Sequence, residues 1–329
     1  MTIILAQLSP QRSTQYTDLV TDLAPYEIAL TSVGDYLAEN PAFIKLGQQD
    51  YLKLTLKSEL DDDLLQQLPM LVMTNAYFEY FEQIGDVPGP FLKPIEIESE
   101  TFLPESLVAT RRYRGKTNEL FTQFMCNIAR ANSDFAETPW NKLTLLDPLS
   151  GGGTTLFVGL MLGADVCGVE QDKKVVDGTI TFLKQYMKES RISAKFREDK
   201  LKKVGKRSFI TVKDSARCVV GHGDTSNVKD FVHGLKRPQL LVTDLPYGIQ
   251  HRAEWLKMLR NALPLWFDVM VEGGTMVFSW NASDYSRDEM VARVEEVSDF
   301  KVLKDAPYNQ LSHQVDRVIK QRDIIIALK

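Results

Sequence analysis

The sequence predicts an α/β protein: a mostly parallel, Rossmann-like sheet with an antiparallel last strand over residues 106–329, and a smaller α+β domain over 1–105. Three observations carry this. The chain has 329 residues, beyond the roughly 250–300 at which a single core usually stops growing. From residue 106 onward short apolar runs alternate with segments of helical periodicity, the pattern of strands joined by crossover helices. Between the halves lies Gly85-Asp86-Val87-Pro88-Gly89-Pro90, followed by Pro94 and by Glu96, Glu98 and Glu100, which reads as an extended linker.

In the first half, residues 2–8 and 49–57 have strand character. Asp61 starts a helix that carries Leu64, Leu65, Leu68, Leu71 and Val72 at helical spacing. No residue set in this half points to a chemistry. In the second half a helix over 118–131 follows Thr117, a plausible cap. Strand one is 143–146, and the short helix after it starts in a glycine-rich turn and ends at Gly163, a natural C-terminal residue. Strand two is 166–169, with a helix over 175–189. A basic insertion precedes strand three at 218–220, which is followed by a helix over 227–234. Strand four, 240–243, leads to a helix over 254–271 that contains Pro264 and is expected to kink there. Strand five is 275–279, with a helix over 287–297. Segments 301–303 and 315–328 close the domain as an antiparallel pair.

Composition sets outer limits. Hydrophobic residues make up 44%, ordinary for a globular protein. No apolar run approaches the roughly 18 residues of a membrane helix, and the amino terminus lacks the basic and apolar regions of a signal peptide. Cys126, Cys167 and Cys218 are odd in number and widely spaced, so they are expected to be reduced core residues of a cytoplasmic protein. His222 and His233 have no ligand-spaced companions, and no metal is expected. The net charge is −5, but ten Lys/Arg face only three acids between Ser190 and Arg217, a local +7 on a body of −12. Such an island is either a solvated loop or a contact for phosphates.

Two motifs carry the chemistry. Asp147-Pro148-Leu149-Ser150-Gly151-Gly152-Gly153-Thr154-Thr155 joins strand one to its helix, where a backbone without side chains lets a ligand approach the helix start. Leu156 stands where a dinucleotide fingerprint would need glycine. Thr243-Asp244-Leu245-Pro246-Tyr247-Gly248 ends strand four. There an acid, a proline turn and an aromatic suit the grip of a planar base by its exocyclic amine, or a plain strand-ending turn. Glu170 ends strand two and Asp224 follows strand three. In a doubly wound sheet all these positions converge on the crevice outside the carboxyl ends of the strands.

These residues resemble a class I S-adenosylmethionine-dependent methyltransferase of the amino-methylating type. In that family a D-P-x-x-G-x-G-T turn binds the cofactor and an (N/D)-P-P-(Y/F) tetrad binds the target amine. The turn at 147–154 matches the first. Asp244-Leu245-Pro246-Tyr247 matches the second, with Leu245 in place of the first proline. That variant, with Gly248 after it, is similar to tRNA guanine-N2 methyltransferases of the THUMP-associated group. The likeness covers about 106–329, including Tyr113-Arg114-Gly115-Lys116-Thr117 as a preceding cofactor-side motif, and shows no THUMP domain in the first hundred residues.

The resemblance implies a class I methyltransferase fold with S-adenosyl-L-methionine as cofactor. Asp147, Pro148, Gly151, Gly153 and Thr154 would lie against its methionine part, Thr117 near its carboxylate, Glu170 on the ribose and Asp224 on the adenine amine. Asp244, Leu245, Pro246 and Tyr247 would form the catalytic tetrad. Arg252 and Arg317 are candidates for substrate phosphates, and Trp280 for stacking on a base. The expected partner is a nucleic acid, RNA before DNA, with no membrane. Adenine in DNA or a protein glutamine amide remain alternative substrates. An inactive cofactor-binding relative is a further alternative, with Leu245 its one hint, and an oxidoreductase is disfavoured by Leu156 and the tetrad.

Overall fold

A computed structural model describes residues 2–10, 17–98, 100–113, 115–246, 252–315 and 321–329. The chain forms two compact units, Met1–Glu100 with Asp305–Arg322, and Thr101–Lys304 with Asp323–Lys329.

The first unit is built on β1 (Ile3–Leu8), α1 (Thr17–Ala29), β2 (Ala42–Leu46), β3 (Gln49–Thr55), α2 (Asp62–Gln67), β4 (Thr74–Ile84) and β5 (Val87–Pro94). Its strands form an antiparallel sheet in the order β2-β3-β1-β4-β5. Ile4, Leu5, Leu52 and Leu54 from the sheet and Leu23 and Ile28 from α1 are fully buried. Asp61 caps α2 by accepting the Leu64 amide at 2.9 Å. The helix stops at Gln67 and tightens into a 3-10 turn at Leu68–Met70, because Pro69 has no amide to continue the ladder. The expected helix through Val72 is therefore cut short.

The expected linker is also corrected. Gly85, at φ +58°, turns a hairpin, and Pro88, Pro90 and Pro94 lie in the edge strand β5. An edge strand tolerates proline, since its outward side needs no partner.

The second unit runs α3 (Ser106–Thr110), α4 (Glu119–Ala131), β6 (Thr144–Asp147), α5 (Thr154–Leu162), β7 (Asp165–Glu170), α6 (Lys173–Glu189), β8 (Ala194–Leu201), β9 (Gly205–Val212), β10 (Ala216–Gly223), α7 (Val228–Val232), β11 (Leu240–Asp244), α8 (Arg252–Val269), β12 (Thr275–Asn281), α9 (Arg287–Val297) and β13 (Lys301–Val302). The next strand, β14 (His313–Gln314), lies within Asp305–Arg322 and pairs with the start of β15 (Gln321–Leu328). The segment 305–322 thus groups with the first unit, whereas the sequence places it with the second. Periodicity locates elements but does not say which core they join.

The large sheet has the order β13-β15-β12-β11-β6-β7-β10-β9-β8. β10, β7, β6, β11 and β12 are parallel neighbours. β15 is antiparallel to β13, and the Lys329 amide at its far end bonds the Gly274 carbonyl just before β12 begins. This is a Rossmann-like mixed sheet: five parallel strands at its centre, an antiparallel hairpin on one side and the antiparallel last strand on the other. Its parallel strands read as unbroken apolar runs because both faces are covered. Helix ends follow local chemistry: Asp172 caps α6, Gly163 closes α5 at φ +93°, and Ser286 with Glu289 forms a capping box on α9. The basic insertion is an ordered hairpin, β8 and β9, that extends the sheet beyond β10. Cys126, Cys167 and Cys218 are free and buried.

Candidate functional site

The parallel register brings the carboxyl ends of the strands to one edge. Asp147 pairs with Gly168, Glu170 with His222, and Asp244 with Ser279. β6 lies between β7 and β11, so the order reverses at this strand, where open α/β sheets bind ligands.

Asp147 sits beneath the glycine turn. It is 3% exposed, and its Oδ1 accepts the Leu149 amide at 3.1 Å and the Thr243 hydroxyl at 2.7 Å. Burial, only partly offset by these bonds, pushes its carboxyl up to about 6. The residue therefore shapes the turn and ties β6 to β11. Gly151 and Gly153 adopt left-handed φ of +46° and +88°, a conformation glycine reaches without steric cost. The Ser150 amide bonds the Val169 carbonyl, and the Gly153 amide bonds the Ser150 carbonyl. Gly153 is the N-cap of α5 and offers no capping side chain, so the helix start presents backbone donors. A Cβ on Gly151 would meet nothing within 4 Å. The turn is thus open at Gly151, where no side chain blocks the approach of a ligand.

Two further residues hold this turn, Arg111 and Tyr113. Arg111 donates to the Gly152 carbonyl and to the Thr179 hydroxyl, and its guanidinium lies over the rings of Tyr113, Phe157 and Phe182. The Tyr113 ring covers Gly152 so closely that a Cβ there would fall inside it. Its hydroxyl is 2.6 Å from that of Thr154, and burial raises the phenol above its ordinary value. The signal for Tyr113 is its place in the motif before α4; Arg111 has no sequence signal beyond adjacency.

Glu170 and Asp224 stand at the ends of neighbouring strands. Glu170 is half-buried and accepts the Asp172 amide at 2.7 Å, while Asp224 is exposed and accepts the Ser226 amide at 2.8 Å. Each carboxylate spends one oxygen on its own turn.

Asp244 has both oxygens engaged: Oδ2 accepts the Thr117 hydroxyl at 2.7 Å and Oδ1 accepts the Ser279 hydroxyl. Thr117 therefore orients Asp244, and the cap of α4 is Asn118, which accepts the Phe121 amide at 3.1 Å. Leu245 is 1% exposed, packs in the same core cluster as Trp266, Phe278 and Trp280, and donates its amide to the Ser279 carbonyl at 2.9 Å. The departure from a double proline is thus a core residue that also extends the strand pairing. Pro246 is exposed, and Pro148 follows Asp147 at the start of the turn. Tyr247, Gly248 and Arg317 lie outside the described residues, as does the side chain of Arg252.

Trp280 requires a correction. It is 1% exposed, and its Nε1 donates to the Tyr285 carbonyl, so its ring has no free face for a base. Strand alternation turns it into the core. Nearby, Trp255 and Tyr285 are stacked, with ring centroids 5.4 Å apart. His313, in the first unit, is 3% exposed, and burial pushes its pKa down to about 3. Among the described residues no cluster of His, Cys, Asp or Glu could hold a metal ion, and no helix is long and apolar enough to cross a membrane.

No family model and no curated protein matches the chain. Among solved structures it is similar to TrmN from Thermus thermophilus, at 11% identity and a TM-score of 0.47, covering 100% of both chains. A putative RNA methyltransferase from Pyrococcus horikoshii matches at 17% identity and a TM-score of 0.41, over 69% of this chain and 90% of that one. The T. thermophilus 16S rRNA N2 methyltransferase RsmC, solved with AdoMet and guanosine, matches at 13% identity and a TM-score of 0.38, over 94% of this chain and 62% of that one.

Proposed function

We propose that the chain is a cytoplasmic S-adenosylmethionine-dependent N-methyltransferase acting on the exocyclic amine of a nucleic-acid base, with guanine in tRNA or another RNA as the leading substrate. The observation that carries this is Asp244, held by two hydroxyls at the end of β11 beside the strand that bears the glycine turn. RNA is favoured by the Asp-Leu-Pro-Tyr-Gly sequence and its likeness to guanine-N2 methyltransferases. Buried free cysteines fit a reducing compartment.

In this reading the backbone of Gly151, Gly153 and Thr154 holds the methionine end of the cofactor. Glu170 takes the ribose hydroxyls and Asp224 the adenine amine. When bound, the cofactor supplies a methyl group that is already electrophilic. The protein's part is positioning, the largest lever available when neither reactant needs strong activation. Asp244 accepts an amine hydrogen of the base and draws the nitrogen lone pair out of conjugation. Asp244 is fixed by two hydroxyl donors and has acceptor capacity left on its oxygens. The proton lost after methylation is acidic and needs no strongly shifted base.

Calorimetry with S-adenosylmethionine tests the cofactor half. The wild type is expected to bind and Glu170→Ala to bind at least about tenfold more weakly, the loss of one charge-assisted bond pair. Undiminished binding by the variant removes Glu170 from the site.

A further inference from the structure

The basic island narrows to a few residues once its partners are counted. Lys195 is paired with Asp214, Arg197 and Arg207 with Asp199, Lys206 with Glu198, and Arg217 with Asp165. Lys213 donates to the Phe102 carbonyl and lies over that ring. Among the described residues Lys202 and Lys203 form no ion pair. They make the turn of the β8–β9 hairpin, with Leu201 paired to Gly205 behind them. Gly205 in turn pairs with Gly223, the last residue of β10. Since β10 runs parallel to β7, this hairpin tip lies at the same sheet edge as the glycine turn, Glu170, Asp224 and Asp244.

The tip is built against its own stability. Lys203 sits at φ +64°, where a residue with a Cβ is disfavoured and glycine or asparagine is usual. Retained ammonium groups at the ligand edge, flexible and without a planar fork, suit a repeating anion read by charge rather than by base.

We propose that the β8–β9 tip, centred on Lys202 and Lys203, grips the phosphodiester backbone of the nucleic acid whose base enters the site. This rests on the methyltransferase reading above. The test compares full-length wild type, Lys202→Ala/Lys203→Ala, and a control, Lys142→Ala/Lys301→Ala, whose exposed lysines lie at the opposite, amino end of the strands. Binding to labelled bulk tRNA and to duplex DNA is followed through a salt titration, with S-adenosylmethionine calorimetry alongside. The tip variant is expected to bind tRNA about tenfold more weakly, with a log–log salt slope shallower by about 1.5, the loss of two phosphate contacts. Cofactor binding and the control variant should be unchanged. An unchanged slope, or an equal change in the control, overturns the proposal while leaving the enzyme reading intact. A wild type that binds the cofactor but neither nucleic acid overturns both, and a slope change confined to duplex DNA assigns the tip to DNA.

Discussion

At the residue scale the account turns on how Asp244 is held. Thr117, from the segment before α4, and Ser279, from β12, donate to its two oxygens. The resemblance puts Thr117 on the cofactor's carboxylate; its hydroxyl bonds Asp244, which suits a positioning role. Thr117→Val or Ser279→Ala removes one hydrogen bond to a charged group, worth about 1.5–3 kcal/mol. The predicted outcome is a methyl-transfer rate about tenfold lower or more, with S-adenosylmethionine affinity unchanged. Weakened cofactor binding by Thr117→Val would instead restore the carboxylate assignment.

Asp147 yields a pH prediction of opposite sign to that of most carboxylates. Burial raises its folded value to about 6 against an ordinary 3.8, so the folded state binds the proton more tightly than the unfolded one. Its contribution is fully present below about 3.8 and is lost as pH rises through about 6. Denaturant titrations should therefore show wild-type stability, measured relative to Asp147→Asn, falling between about pH 4 and 6. A difference that rises over this window would contradict the buried placement.

At the element scale, what could be read from the sequence was set by local chemistry. The helix over Arg287–Val297 and the glycine-ended helix α5 were legible because caps and periodicity agree there. The crevice residues Asp147, Glu170, Asp224 and Asp244 were legible because strand ends follow from apolar runs. Three elements were not. β5 carries three prolines and acquires strand character only from its place at an edge. β8 and β9 carry charges on both faces, so their pairing is invisible to a hydrophobicity pattern. Trp280 lies close enough to the crevice in sequence to suggest a base platform, and only the side to which β12 directs it decides otherwise. The arginine that clamps the glycine turn, Arg111, acts across a fold-dependent distance that no local pattern encodes. One helix end supplies a stability prediction. Asp172 caps α6 by accepting the Lys174 amide at 2.7 Å, so Asp172→Ala should cost about 1 kcal/mol in urea unfolding. Because the Glu170 carboxylate bonds the Asp172 amide, not its side chain, cofactor binding should survive this change.

At the scale of the whole molecule, each unit has its own sheet and core, and the chemistry-bearing positions belong to Thr101–Lys304. The first unit contributes no recognisable reactive set, while the second places a glycine turn, two strand-end acids and a clamped aspartate along one sheet edge. The central claim is that this edge moves a methyl group onto the exocyclic nitrogen of a base gripped by Asp244. The most direct measurement uses methyl-labelled S-adenosylmethionine with bulk tRNA, followed by digestion and nucleoside mass spectrometry, for the wild type and for Asp244→Ala. The account predicts label on the 2-amino group of guanosine with the wild type, and at least about 100-fold less with the variant, the scale of losing a group that acts in the transition state. Label on a ring carbon or a ribose hydroxyl, or transfer undiminished in Asp244→Ala, would contradict it.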